Sequence, residues 1–357
     1  MASFTIKTPQ REYCAVVERG VIARVAHYIP KKSGKVFVVT SEDVWRHCGE
    51  KVTSSLTGIA HEVLFLPGGE ERKRLAHVEA AAEDMVRRGA DRSSVVVAVG
   101  GGIVTDMAGF LAAIFMRGIP VLQVPTTLLA QVDAAIGGKT GVNLVEGKNL
   151  IGSFHQPLAV LIDPDVLATL PDREYRAGLF EVIKYGVIRS ASLFELLADR
   201  RNAVLAKEPA VVDRMIEESV RIKAEVVSVD ERESDLRRIL NFGHTFGHAL
   251  EAETAYARYL HGEAVGFGMR AAVHLAKTLG HVDASNAAGI LEAVDRYGPI
   301  PGLRDIPAEQ IAARLVKDKK TIQGKVHFVL PRKIGEVTVV SGVDDGAVLS
   351  AIRSALA

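Results

Sequence analysis

The 357-residue chain has little of anything that would commit it to a special environment. It carries 2 cysteines, Cys14 and Cys48, and a single tryptophan, and aromatic residues make up only 6% of it. The cysteines form no Cys-x-x-Cys pair and no disulfide framework. With Lys+Arg 44 against Asp+Glu 43 the net charge is +1, so no global field draws the chain to nucleic acid or to an anionic membrane surface. Any anionic ligand must be held by local charges. The longest apolar run, Met107 to Met116, is far shorter than the ~20 residues a transmembrane helix needs. The opening segment MASFTIKTPQREY lacks the apolar stretch of a secretory signal. These absences lead us to expect a cytoplasmic protein without a membrane or nucleic-acid partner.

What is present is ordinary globular composition, 48% apolar and 24% charged, in a chain long enough for two cores. The first half alternates short β-branched runs with amphipathic helical patterns. The runs are KVFVVT (35–40), HEVLFLP (61–67), SVVVAVGGG (94–102), PVLQVPTT (120–127) and AVLID (159–163). Near-continuous apolar strands separated by helices predict a parallel sheet covered on both faces. We therefore expect an N-terminal doubly wound, Rossmann-like α/β domain over 1–170. From Pro171 onward long helical patterns take over (173–189, 206–230, 243–257, 262–280, 284–297, 307–318), with a hairpin in VHFVLPRKIGEVTVV. A mainly α-helical C-terminal domain over 171–357 is expected.

Gly100, Gly101 and Gly102 follow a buried strand and precede a helix. Glycines there let backbone amides approach a phosphate, and the helix N-terminus adds a favourable dipole. A tight turn without a ligand is the plainer account. A second turn of this kind, PGGEERK (67–73), offers Glu70 and Lys73, and TSEDV offers Ser41 and Glu42 where an adenosine ribose is often held. The segment DAAIGGKTGVN ends like a phosphate-binding GKT loop, but the pattern needs glycine where Asp133 stands, so an ATPase reading fails. Arg117, Lys139, Lys148 and Asn149 remain as a set suited to gripping an anion.

In the second half YRAGLFEVIKYGVI sets Glu181 and Lys184 three apart in an apolar helix. Buried charges are costly unless paired or bound to metal, and a plain ion pair would suffice. RRILNFGHTFGHALEAE sets His244 and His248 at i, i+4, on one helix face. YLHGEAVGFGMR adds His261 at the start of a glycine-rich helix. Glu181, His244 and His261 would leave one position open, as catalytic zinc sites do. Binding by His244 and His248 is the alternative. Lys223, Glu233 and Arg237 lie in a charged stretch that could be a solvated face or part of the same cleft.

The motifs PGGEERK, GGGIVTDMAGFLA, RGIPVLQVPTTLLAQVDAAIGGKTGVNLVEGKNLIGSFHQP, GLFEVIKYGVI, RIKAEVVSVDERESDLRRILNFGHTFGHALE and HGEAVGFGM together resemble the 3-dehydroquinate synthase family closely, over about residues 60 to 335. The resemblance implies an enzyme of the shikimate pathway that converts 3-deoxy-D-arabino-heptulosonate 7-phosphate into 3-dehydroquinate and phosphate, as a homodimer, with NAD and a divalent metal, usually zinc or cobalt. It implies that Glu181, His244 and His261 bind the metal, while His248 contacts substrate and assists proton transfer. It implies NAD contacts from Ser41, Glu42, Gly68, Gly69, Glu70, Glu71, Arg72, Lys73, Gly102, Ile103, Val104, Thr105, Asp106, Thr126, Thr127, Lys139, Lys148 and the stretch Val166, Leu167, Ala168 and Thr169. It implies substrate contacts from Asp133, Lys139, Asn149, Lys184, Lys223, Arg237, Asn241 and His248, with Arg117 from the neighbouring subunit. Glu233 matches a proton acceptor, and Lys319 or Lys320 closes over the substrate.

Two enzyme rivals and one of another class compete. A metal-dependent NAD polyol dehydrogenase would lack the crowd of Lys139, Lys184, Lys223 and Arg237 and would release NADH. A sister sugar phosphate cyclase would depart from the pattern at Arg117, Lys223, Asn241 and His248. A non-catalytic scaffold would have no reason to bury Glu181, Lys184 and three histidines among glycines.

Overall fold

A computed structural model of the chain describes residues 1–319 and 326–357. It divides into two compact units. Unit 1 comprises Met1–Tyr175 and Val212–Arg232, and unit 2 comprises Arg176–Val211 and Glu233–Ala357.

Unit 1 is built on a seven-stranded sheet. Strands β1 (Ala2–Lys7) and β2 (Glu12–Val17) form an antiparallel hairpin at one edge. The parallel strands are β3 (Val36–Thr40), β4 (His61–Phe65), β5 (Val95–Gly100), β6 (Val121–Pro125) and, after the small antiparallel pair β7 (Lys139–Val142) and β8 (Ile151–Phe154), β9 (Ala159–Ile162). The spatial order is β1-β2-β9-β6-β5-β3-β4. Helices α1 (Glu42–Ser55), α2 (Leu75–Arg87) and α3 (Gly102–Ile114) connect the strands.

The side-chain period of two divides the apolar runs between two cores. Phe37, Val39, Val96 and Ala98 pack with Val78 and Met85 of α2 and Met107 and Leu111 of α3. Val36, Val38, Val97 and Val99 pack on the other face with Cys48 and Val52 of α1. This is the doubly wound arrangement the sequence predicts. The chain runs from β3 outward to β4 and then returns past β3 to form β5, so the order reverses between β3 and β5. A crevice opens at the strand ends where such a reversal occurs. Ser41, directly after β3, and Gly101, directly after β5, flank it.

Helix α4 (Asp172–Arg189) leads into unit 2, which holds α5 (Ala191–Asp199) and α6 (Arg201–Leu205). Helix α7 (Pro209–Val229) follows, and most of it lies in unit 1. Unit 2 then continues with α8 (His244–Glu253), α9 (His261–Thr278), α10 (Ala284–Tyr297), α11 (Ala308–Lys319), the hairpin β10 (His327–Lys333) and β11 (Glu336–Ser341), and α12 (Asp345–Leu356). The placement of α7 corrects the expectation that all of 171–357 forms one domain. Its polar groups explain the placement. Asp213 takes Arg19 Nη2 at 2.8 Å, Ser228 Oγ accepts from the Lys7 amide at 3.0 Å, and Lys223 meets Asp133 at 2.8 Å.

Helix α9 is mostly buried, and its glycines set how closely the neighbouring helices approach. A Cβ on Gly262 would fall 1.8 Å from the Ala177 carbonyl of α4, and one on Gly268 would fall 1.8 Å from the Gly243 carbonyl that precedes α8. A Cβ on Gly266 would press into the Phe180 ring at 2.8 Å. The three helices therefore meet at backbone distance. Gly262→Ala should destabilise the protein by about 1–3 kcal/mol, because overpacking forces the helices apart. Gly302→Ala, with open space around it, should change stability by less than ~0.5 kcal/mol. Chemical denaturation of both variants checks the contrast.

Candidate metal and nucleotide sites

In unit 2, Glu181 sits on α4 facing the first residue of α8, His244, and the first residue of α9, His261. Its Oε1 lies 3.5 Å from His244 Nε2 and 3.7 Å from His261 Nε2. One ligand atom from each of the three residues falls within 4.8 Å of the others. Glu181 is 0% exposed, and neither carboxylate oxygen has a hydrogen-bond partner. Oε2 is in ion-pair contact with Lys184 Nζ, one turn along α4, without hydrogen-bond alignment. The plain ion pair is thus present at Oε2, while Oε1 faces the two imidazoles.

The outer nitrogens of both rings are engaged. His244 Nδ1 meets the Phe242 carbonyl at 3.2 Å, and His261 Nδ1 meets Glu251 at 3.3 Å. A ring that donates from Nδ1 presents a lone pair at Nε2. Two imidazole lone pairs and an unsatisfied buried carboxylate make a donor set that fits a divalent cation such as zinc. His248 lies outside this group. Its ring is 5.4 Å from that of His244, centroid to centroid, and its side chain is exposed. Among the described residues, neither of the candidate groups of three contains both His244 and His248.

The rest of the expected set in unit 2 stands on the segment before α8. Arg237 is 2% exposed on a short 3-10 turn that ends at Asn241. Asn241 Nδ2 donates to Glu233, whose φ of 62° is left-handed. Gly243 (φ 82°) then starts α8, and a Cβ there would meet the Val265 carbonyl at 2.7 Å. Lys320 lies outside the described residues, as does the side chain of Lys319.

In unit 1 the glycine turn joins β5 to α3. Gly101 precedes α3, whose first amides have no intrahelical acceptor. Val104 packs under Gly100, and the Thr105 hydroxyl bonds the Gly102 carbonyl at 3.0 Å. Of the 102–106 stretch, Gly102 and Ile103 open α3, and the carboxyl of Asp106 is taken up by Lys73. Thr126 follows β6 with its hydroxyl buried and without a partner, and Thr127 Oγ1 caps the Ala130 amide at 3.2 Å.

Lys73, 3% exposed, is held by Asp106 and by Asn149 Oδ1 at 2.6 Å. Burial pushes the Asp106 carboxyl above its ordinary range, against the pull of the Lys73 ammonium. Asn143 joins the turn to the following loop. It donates to Glu70 Oε1 at 2.7 Å and accepts from the Asn149 amide at 2.9 Å, while Lys148 lies 3.6 Å from Glu70. Glu70, Lys73, Asp106, Lys148 and Asn149, read from separate motifs, therefore form one network.

The other expected contacts in unit 1 are more dispersed. Ser41 is buried at the start of α1, whereas Glu42 is 76% exposed and pairs loosely with Arg46. Gly69 takes φ 98°, and Glu71 and Arg72 are exposed beyond it. Val166 and Leu167 are buried in the 3-10 turn Pro164–Thr169, with Ala168 and Thr169 exposed. Asp133 lies at the end of a π-turn, Ala130–Ala134, and takes Lys223 at 2.8 Å. Lys139 is exposed at the start of β7, and Arg117 is exposed with φ 72°, directly after Met116 at φ 48°.

Sequence reasoning overlooked Asn143 and Glu251. Glu251 follows His244 by seven residues, so a continued i, i+4, i+7 pattern marks it. Asn143 carries no such signal, because Glu70, to which it donates, is distant in sequence.

Residues 63–177 match the N-terminal domain of 3-dehydroquinate synthase and residues 178–321 its C-terminal domain. The 3-dehydroquinate synthase of Solibacter usitatus is 67% identical over 357 residues, covering 100% of both chains. That of Koribacter versatilis is 48% identical over 98% of this chain and 96% of its own. Among solved structures, 2-epi-5-epi-valiolone synthase from Streptomyces hygroscopicus, with NAD+ and Zn2+ bound, superposes with TM-score 0.89 at 30% identity over 96% of each chain. A 2-deoxy-scyllo-inosose synthase complexed with carbaglucose-6-phosphate, NAD+ and Co2+ gives TM-score 0.88 at 27% identity over 99% of each chain. A glycerol dehydrogenase from Schizosaccharomyces pombe, at 18% identity and TM-score 0.69, shares the fold. With its two matched domains in order and full-length kinship to curated members, the chain belongs to the 3-dehydroquinate synthase family.

Proposed function

We propose that the chain is a carbon-oxygen lyase that converts 3-deoxy-D-arabino-heptulosonate 7-phosphate into 3-dehydroquinate and phosphate, with NAD and a divalent cation, zinc or cobalt, bound. The observation that carries this reading is the convergence of Glu181, His244 and His261 in a member of this family. When bound, NAD accepts and returns a hydride and the cation polarises the substrate alcohol, so the cofactor is not consumed.

The chain's own residues hold and steer. Glu181, His244 and His261 supply the cation ligands. The amides that open α3, with the Glu70, Lys73, Asp106 and Asn143 network behind them, receive the dinucleotide. Ser41, Glu42, Gly68, Gly69, Glu71, Arg72, Thr126, Thr127, Lys148 and the Val166–Thr169 turn add to that contact. Substrate contacts fall to Asp133, Lys139, Asn149, Lys184, Lys223, Arg237 and Asn241. Ion pairing with Asp133 orients Lys223, as Glu181 orients Lys184. Lysines and Asn149 hold the phosphate so that, as the C–O bond breaks, its own oxygen takes the proton from the adjacent C–H. His248, exposed one turn beyond His244, contacts substrate and passes a proton, and Glu233, held by Asn241, accepts one. Ring closure then depends on positioning more than on a strong base.

The protein acts in the cytoplasm as a homodimer in which Arg117 reaches the neighbouring subunit's substrate. Consecutive left-handed residues at Met116 and Arg117 fix how that side chain is presented.

Purified protein given the heptulosonate phosphate, NAD and zinc should release phosphate without net NADH. Steady NADH accumulation, followed at its absorbance band, would instead identify a polyol dehydrogenase. Metal analysis separates the histidines: His261→Ala should lose bound metal, whereas His248→Ala should retain it and turn over about 10²- to 10⁴-fold more slowly. Equal metal loss in both variants contradicts the division of roles.

A further inference from the structure

Helix α8 carries three chemistry-bearing side chains at i, i+4 and i+7: His244, His248 and Glu251. A period of 3.6 residues brings them onto one face. Glu251 is 2% exposed. Enclosing a carboxylate this fully costs several kcal/mol unless a donor or cation engages it. Its two oxygens lie 3.3 and 3.4 Å from Nδ1 of His261. The other nitrogen of the same ring, Nε2, faces Glu181 Oε1 at 3.7 Å. One imidazole therefore stands between two buried carboxylates, with one nitrogen turned to each.

A second arrangement is possible on distance alone, since His248, Glu251 and His261 also bring ligand atoms within 4.8 Å of one another. For that trio to hold a cation beside the Glu181 group through its Nδ1, His261 would have to lose both ring protons and bridge the ions. Donating Nδ1–H to Glu251 requires no such ionisation. It also leaves the Nε2 lone pair directed at Glu181, which is what the first group needs.

We propose that Glu251 is the positioning residue for the cation site formed by Glu181, His244 and His261. It accepts the Nδ1 proton of His261, fixes the tautomer and plane of that ring, and raises the basicity of Nε2. His244 receives the weaker version of the same support, from the neutral Phe242 carbonyl. The proposal rests on the cation reading given above, and its test keeps the two apart.

Protein stripped by chelator is titrated with cobalt(II) and with zinc against a chelating indicator. Glu251→Gln should weaken cation affinity about 10- to 100-fold and alter the visible cobalt spectrum. The metal-free variant should melt as the metal-free parent does, and Glu251→Asp, which keeps the charge, should fall between the two in affinity. A Glu251→Gln protein with the parent's affinity and spectrum overturns the proposal. So does a parent that takes up a second equivalent lost selectively in Glu251→Gln, because Glu251 would then be a ligand itself. Should the parent, His244→Ala and His261→Ala all bind cobalt alike, the cation reading fails first and the role of Glu251 falls with it.

Discussion

The backbone contact of α9 with α4 and with the turn before α8 is the constraint on which unit 2 depends. Gly262 lies against Ala177, Gly266 against Phe180 and Gly268 against Gly243, each closer than a side chain would allow. Ala177 and Phe180 stand four and one residues before Glu181, and Gly262 directly follows His261. The same approach that packs the helices therefore delivers Glu181 to the two imidazoles. Packing and chemistry are one geometric fact here, and the glycines spend conformational entropy to obtain it.

That geometry carries a standing cost. Glu181 is fully buried, Lys184 offsets part of its charge, and both carboxylate oxygens still lack hydrogen bonds. A buried polar group left unsatisfied costs about 1–3 kcal/mol, and more when charged. Binding of a divalent cation removes that cost, so affinity for the ion and stability of the folded unit are coupled. Unit 1 answers the same problem differently. Lys73 and Asp106 neutralise one another, and Asn143 and Asn149 fill the remaining donor and acceptor positions.

The fold was legible wherever local pattern decides it. The parallel strands and α4, α7, α8, α9, α10 and α11 follow from apolar periodicity, and α10 spans the predicted Ala284–Tyr297 to the residue, whereas α5, α6 and α12 lie outside the expected helical patterns. What escaped was decided by distant partners. The edge hairpin of β1 and β2 has weak patterning of its own and is fixed by pairing with β9. The middle of α7 looks like any helix of the second half, yet its contacts with Lys7, Arg19 and Asp133 place it in unit 1. The π-turn that aims Asp133 has no sequence signature, although such turns often occur at functional sites. At the site itself, the residue types and the helix face could be read from spacing, and the family resemblance implied the partition of the histidines. Spacing alone could not separate His244 from His248, because the difference lies in which neighbour each ring meets.

Helix α8 shows why that difference is physical. Its residues 244, 248 and 251 share a face but advance along the axis by 1.5 Å per residue, so the last stands about 10 Å beyond the first. Glu181 and the ring of His261 are fixed from outside by α4 and α9 and occupy only part of that length. The residue level with Glu181 Oε1 is His244, the candidate ligand. Glu251 meets the far nitrogen of His261 instead, and His248, between them in sequence, turns toward solvent. One helical stripe thus divides among a candidate ligand, a buried carboxylate beside His261 and a solvent-facing imidazole through its register against two neighbouring helices. A slide of α8 by a single turn would exchange these roles, and Gly243 and Gly247, in backbone contact with Val265 and Ala264 of α9, are what hold the register.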